Sequence, residues 1–253
     1  KAYTAAENGV GCKDRNGKKY SCEEEGKMRW GWVDESGERV TDAADWANGL
    51  YYCGTADDGA QVTGWAQLHV LDEEVESRFD GSQDEEEQDY WFYFNSNGKK
   101  VTADTEEGEK YATKTINGNK YAFDADGVMA FEWNDGFATE DSADPKASAA
   151  GWQYYNDRSA GNRAKGWFYE VPAEKLNADA YDDGSTKWYY AKNDGSLYAN
   201  EIKTINGKKY AFNKAGEMLS GLQALWIDAE TGLITKNQAI DEESEIDEYV
   251  DVN

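Results

Sequence analysis

A chain of 253 residues whose 51 acidic side chains outnumber 26 basic ones, for a formal net charge of −25, repels phosphate backbones and anionic lipid, so nucleic acid and anionic membrane surfaces are excluded as partners. Aromatics make up 14% of the residues while all hydrophobics together reach 39%, so burial rests on Trp and Tyr rather than on Leu and Ile. No stretch approaches the ~18 apolar residues of a membrane span; the acidity is read as a solubility device that leaves cationic ligands, neutral ligands and metal ions open.

The chain begins at Lys1 without an apolar leader, and a start inside a Tyr- and Trp-rich region is expected of a mature, exported product. Its first recognisable element is Asn16-Gly17-Lys18-Lys19-Tyr20, a turn leading into a strand. Cys12 and Cys22 flank that turn. A three-residue loop centred on Gly17 sets them opposite each other; a strict two-residue turn sets Cys12 against Ser21 instead. A Cys12–Cys22 disulfide is the expectation, with Cys22–Cys53 as the competing pairing and the third thiol free or paired between molecules. No Cys-x-x-Cys or His-rich spacing is present, so no metal site is expected.

Residues 28–65 carry Trp30-Gly31-Trp32, Trp46, Tyr51-Tyr52 and Gly64-Trp65 among Gly and Asp turns and read as strands of divergent repeats. The acidic stretch from Asp72 to Asp89 reads as a solvated loop between units, since clustered carboxylates alone do not build a calcium cage. Trp91-Phe92-Tyr93-Phe94 is an aromatic strand running into a Gly turn, and residues 114–131 (KTINGNKYAFDADGVMAF) follow it. Within the latter, Asp124-Ala125-Asp126-Gly127 looks like the middle of an EF-hand loop, but Ala122 and Trp133 stand where its end ligands belong. These Asp residues are read as turn formers. Residues 134–150, small and polar with Pro145, read as a linker.

The second half restarts at Gly151-Trp152 and Gly166-Trp167, passes through an insertion at 171–187 read as a short helix and loop, and reaches Trp188-Tyr189-Tyr190-Ala191. Residues 203–219 (KTINGKKYAFNKAGEML) then repeat the pattern of 114–131, sharing Lys-Thr-Ile-Asn-Gly, Lys-Tyr-Ala-Phe and the Gly-x-Met turn. Asn-Gly supplies the positive φ of a two-residue hairpin turn, and the two aromatics of Lys-Tyr-Ala-Phe fall on one face of a strand. A lone hairpin cannot bury that face, so the expected fold is mainly β: an array of stacked β-hairpins with inserted loops. The expected division is 1–133, N-terminal hairpins with the acidic insertion at 72–89; 134–150, linker; 151–240, C-terminal hairpins; and 241–253, an acidic tail.

The succession of Gly-Trp, Asn-Gly-Lys, an aromatic strand and a Gly-x-Met turn resembles the cell-wall-binding repeats of the choline-binding and glucan-binding surface proteins of Gram-positive bacteria. The resemblance extends over about two thirds of the chain and is best at 90–131 and 188–221. It implies small aromatic cages for the quaternary ammonium of choline, or flat rings on which sugars stack. The positions it indicates are Trp65, Trp91, Tyr93, Trp152, Trp167, Trp188 and Tyr190, with Met129 and Met218 on the following strand. Each ring also has the plainer use of packing hairpin against hairpin. Gly221-Leu222 stands where a further Gly-Trp belongs, and long insertions follow Trp65 and Trp167.

The sole histidine, His69, has no Ser or Cys nucleophile in a local motif and reads as structural. No carboxylate pair is singled out for glycosidase work, no Gly-rich phosphate loop precedes a helix, and neither an enzyme nor a cofactor is expected. Two functions follow. The first is a secreted, non-catalytic module attached at the cell surface to a cell-wall teichoic acid or polysaccharide. The second is an adhesin that binds a host protein through the insertions at 66–89 and 134–187, with the repeats as scaffold.

Overall fold

The computed structural model describes residues 12–22, 26–73, 86–137, 149–242, 246 and 249, with backbone only at 12–15. Pro145 with most of the 134–150 linker, the Asp84–Glu87 run up to Glu85, and most of the 241–253 tail lie outside the described residues. The chain forms two compact units, Lys1–Ala130 and Phe131–Asn253. Among the described residues each is built from four two-stranded antiparallel sheets.

In the first unit β1 (Cys12–Arg15) pairs with β2 (Lys18–Ser21), β3 (Trp32–Val33) with β4 (Tyr51–Tyr52), β5 (Gly64–Leu71) with β6 (Glu87–Phe94), and β7 (Ala112–Ile116) with β8 (Asn119–Phe123). In the second, β9 (Glu132–Asn134) pairs with β10 (Gln153–Tyr155), β11 (Gly166–Glu170) with β12 (Lys187–Ala191), β13 (Glu201–Ile205) with β14 (Lys208–Phe212), and β15 (Gln223–Ile227) with β16 (Ile234–Ala239). The contact division falls just before Phe131, ahead of the expected linker, because Trp133 on β9 is the cross-strand partner of Tyr154 on β10.

Local chemistry fixes the hairpins. Asn16-Gly17, Asn117-Gly118 and Asn206-Gly207 all take positive φ, the two-residue turn whose twist suits antiparallel strands. The turn at Asn16 is therefore the strict type, and Cys12 faces Ser21 in the ladder rather than Cys22. Cys22 carries a free thiol and Cys53 is buried, so the expected Cys12–Cys22 pairing is not the one this register favours.

A second, tighter turn follows β3, β6, β8 and β14. There an Asx side chain folds back onto the next amides: Asp34 Oδ1 accepts from Glu38 N at 2.8 Å, Asn95 from Lys99 N at 3.0 Å, Asp124 from Val128 N at 2.9 Å and Asn213 from Glu217 N at 3.0 Å. These acceptors do the work of turn formation expected of Asp124. The residue two beyond the turn glycine then bridges back to the strand, as in Phe94–Lys100, Phe123–Met129, Ala191–Leu197 and Phe212–Met218.

Burial alone raises the Asp34 carboxyl, but the Ser36 hydroxyl and three backbone amides outweigh it and hold it below the ordinary 3.8. Its stabilising contribution is complete above that value and fades as pH falls through the lower folded value. Thermal melts from about pH 6 down to about pH 3 will show the first unit losing this increment, and Asp34→Asn, the residue used at Asn95 and Asn213, will shrink the acid-dependent part.

The insertions lengthen hairpins rather than break them. Residues 66–73 and 86–90 extend β5 and β6, so Trp65 still faces Tyr93. Asp72 is not solvated as expected: it is 3% exposed and accepts a hydrogen bond from the Tyr90 hydroxyl at 2.7 Å. His69 lies on the exposed part of this extension, with Nδ1 3.0 Å from Asp89. The short helix expected within 171–187 is α1 (Ala178–Asp182), capped by the Asn177 side chain.

Candidate ligand-binding site

Strand alternation gives the central hairpins two aromatic faces. On β6, Tyr90, Phe92 and Phe94 are fully buried on one face, while Trp91 and Tyr93 point from the other and stay partly exposed. The first face packs on Trp32 and Trp46, the second on Tyr121 and Phe123 of the following hairpin. The second unit repeats the scheme. Phe168 and Tyr189 pack on Trp133 and Tyr154, and the opposite face of the same hairpin packs on Tyr210 and Phe212.

The two junctions of the second kind are copies of one another. Trp65 and Trp91 stand 6.2 Å apart at 86°, and Trp167 and Trp188 stand 6.2 Å apart at 86°. Tyr93 lies 5.1 Å from Trp65, and Tyr190 lies 5.1 Å from Trp167. Tyr121 and Tyr210 close the other side at 4.8 and 4.7 Å. Met129 belongs to the first cluster, its amide donating to the Trp91 carbonyl at 2.9 Å, and the Met218 amide donates to the Trp188 carbonyl at 2.7 Å. Near-perpendicular indoles with a Tyr beside them form a corner, an edge-to-face cluster whose solvent-facing ring surface suits a compact cation or the apolar face of a sugar.

The second corner is the more open and the richer in rings. Trp188 is 44% exposed and lies 4.9 Å from Tyr169, itself 49% exposed, where the first copy has Gln67. Tyr198 stacks on Tyr190 at 5.3 Å, where the first copy has Val101. Glu201 holds Lys203 at 2.8 Å and Lys192 at 3.9 Å, and both ammonium groups lie over the Tyr198 ring.

Of the residues indicated by sequence, Trp65, Trp91, Tyr93 and Met129 are gathered at one corner, and Trp167, Trp188 and Tyr190 at the other, with the Met218 backbone tied to Trp188. Trp152 is elsewhere: it is buried in the second unit's core, 6.4 Å from Trp133. Tyr121 and Tyr210 were missed, although the duplicated Lys-Tyr-Ala-Phe strand was their signal. Tyr154 and Tyr189 line the core junction, and burial pushes both phenols far up, with nearby carboxylates adding to it, so neither ionises.

No protein-family model matches the chain. Over 132 residues, 52% of this chain and 7% of the relative, it is 30% identical to Glucosyltransferase-S of Streptococcus mutans. Among solved structures it is similar to choline binding protein F from Streptococcus pneumoniae, at 23% identity and a TM-score of 0.47, covering 83% of this chain and 47% of that one. The choline-binding domain of CbpL from the same organism aligns at 15% identity and a TM-score of 0.40, covering 89% and 86%. The chain is mainly β, made of successive antiparallel hairpins, and resembles the cell-wall-binding repeats of choline- and glucan-binding surface proteins, as its motifs indicate.

Proposed function

We propose that this chain is a binding module of a Gram-positive cell surface, which attaches to a cell-wall polymer through its two aromatic corners and carries out no chemistry of its own. The observation that carries the reading is the duplication: two indole pairs with the same spacing and the same right angle, each flanked by two tyrosines. Core packing alone asks for buried rings, yet Trp188 and Tyr169 keep nearly half their surface in water. The ligand chemistry that fits is a quaternary ammonium such as choline, attracted by the ring faces and by the negative net charge, or a sugar ring stacked on Trp188.

Retention of the purified chain on Gram-positive cell walls, followed by elution with choline and then with a soluble glucan, tests the reading and separates the two ligands. Trp188→Ala removes one wall of the open corner while leaving the buried rings in place, so affinity at that corner falls about tenfold, the equivalent of one ring contact of about 1.4 kcal/mol. Absence of retention on walls of several species overturns the proposal.

A further inference from the structure

The junction between hairpins β3–β4 and β5–β6 is also an aromatic cage, and it already holds a cation. Lys100 is 2% exposed, and its Nζ lies 4.9 Å from the Trp32 ring centre, 5.6 Å from that of Trp46 and 5.8 Å from that of Phe92. The ammonium donates to the Ala47 carbonyl at 3.1 Å. The cage is built to stay put: Trp46 Nε1 donates to the Leu71 carbonyl at 2.8 Å, and Phe92 stands edge-on to both Trp32 and Trp46 at 5.2 and 5.7 Å. The lysine stem runs under the turn of the next repeat, where a Cβ on Gly127 would come within 2.8 Å of Cγ and Cδ.

The position of this lysine in the repeat gives it meaning. Two residues past a turn glycine stand Met28, Arg39, Lys100, Met129, Arg163, Leu197 and Met218, each bridged back to the chain before its turn. Met129 belongs to the first corner, the Met218 amide to the second and Leu197 to the second unit's core; Arg39 lies over the single, exposed ring of Trp30, whereas Lys100 brings its charge among three rings. Other lysines near rings behave differently. Lys192 and Lys203 touch one ring each and leave more than a third of their side chains in water. Burying an ammonium costs several kcal/mol unless it is compensated, and three aromatic rings and a carbonyl contribute to that compensation.

We infer that Lys100 is a built-in ligand: it fills a cation-selective cage between β3–β4 and β5–β6, closes that cage to external ammonium compounds, and so determines which junctions of the array are open to ligand. The inference stands apart from the proposed wall attachment, because it concerns a junction that reading does not use.

The test compares the whole wild-type chain with Lys100→Ala and Lys100→Met, titrated with methylammonium and with tetramethylammonium by calorimetry and Trp fluorescence. Each variant is expected to bind one more equivalent than the wild type, and methylammonium is expected to raise the melting temperature of Lys100→Ala more than that of the wild type. Lys100→Met keeps the stem and keeps the test open where the Ala variant folds poorly. Variants that lose stability but gain no equivalent overturn the inference, since that is the behaviour of a lysine with a packing role only. A wild type that binds neither compound, beside a variant that binds one equivalent, counts against the proposed function and leaves this inference intact.

Discussion

Replacing Trp65 by Ala will unfold the junction between β5–β6 and β7–β8 and abolish one of the two proposed ligand corners. Trp65 touches Trp91, Tyr93, Tyr121 and Phe123 with centroid distances from 4.8 to 6.2 Å, so no other residue of that corner can substitute for it. Removing a large ring from such a cluster costs about 3 kcal/mol, placed at the low end because Trp65 is only partly buried. In a stacked array each hairpin contacts only its neighbours, so the loss is greatest in the two hairpins that meet at Trp65. Denaturant unfolding will show a weakened transition for those hairpins, and ligand titration will show one corner lost while the Trp167–Trp188 corner persists. Trp65→Phe separates the two effects: the ring still fills space, so stability falls less than binding does. A Phe variant whose binding falls no more than its stability would mean that the indole is needed for packing alone.

A second large effect is expected at Gly127. It sits at φ +83, and a Cβ there meets Lys100 at 2.8 Å and the Val101 carbonyl oxygen at 3.0 Å. The flexible lysine stem can yield; the backbone oxygen cannot without moving the Phe94–Lys100 bridge that ends β6. Gly127→Ala therefore adds a steric term to the left-handed strain and costs about 2 kcal/mol or more. Gly118 is the control, at φ +84 with nothing within 4 Å of a built Cβ. Gly118→Ala carries only the conformational term, about 1 kcal/mol. Similar melting temperatures for the two variants would contradict the close approach of successive repeats.

How far the sequence foretells this arrangement depends on the residue. The hairpins at Asn117-Gly118 and Asn206-Gly207 are legible because positive φ at two successive positions has few solutions, and the chain wrote the same one twice. The corners are legible in part. Trp65, Trp91 and Tyr93 follow from the repeat pattern, but Tyr121 lies on a strand whose outward face is defined only once the next hairpin is in place. Trp152 shows the reverse case: a Gly-Trp pair identical in letters ends in the core, because Trp133 and Tyr154 meet there. Asp72 belonged to an acidic run that reads as solvent-facing, and only the extension of β5 as far as Leu71 brings it to the Tyr90 hydroxyl. Lys100 was invisible for a similar reason. Its three rings come from Trp32, Trp46 and Phe92, far apart in sequence, and no local period joins them.

The measurement that bears most directly on the two-corner account is the stoichiometry of ligand binding to the whole chain, by calorimetric titration with choline and, separately, with a soluble glucan. Two equivalents of one ligand are expected for the wild type, one for Trp65→Ala, one for Trp167→Ala and none for the double variant. A wild-type stoichiometry unchanged by either substitution, or no binding of either ligand, contradicts the assignment of the paired indoles as the binding sites.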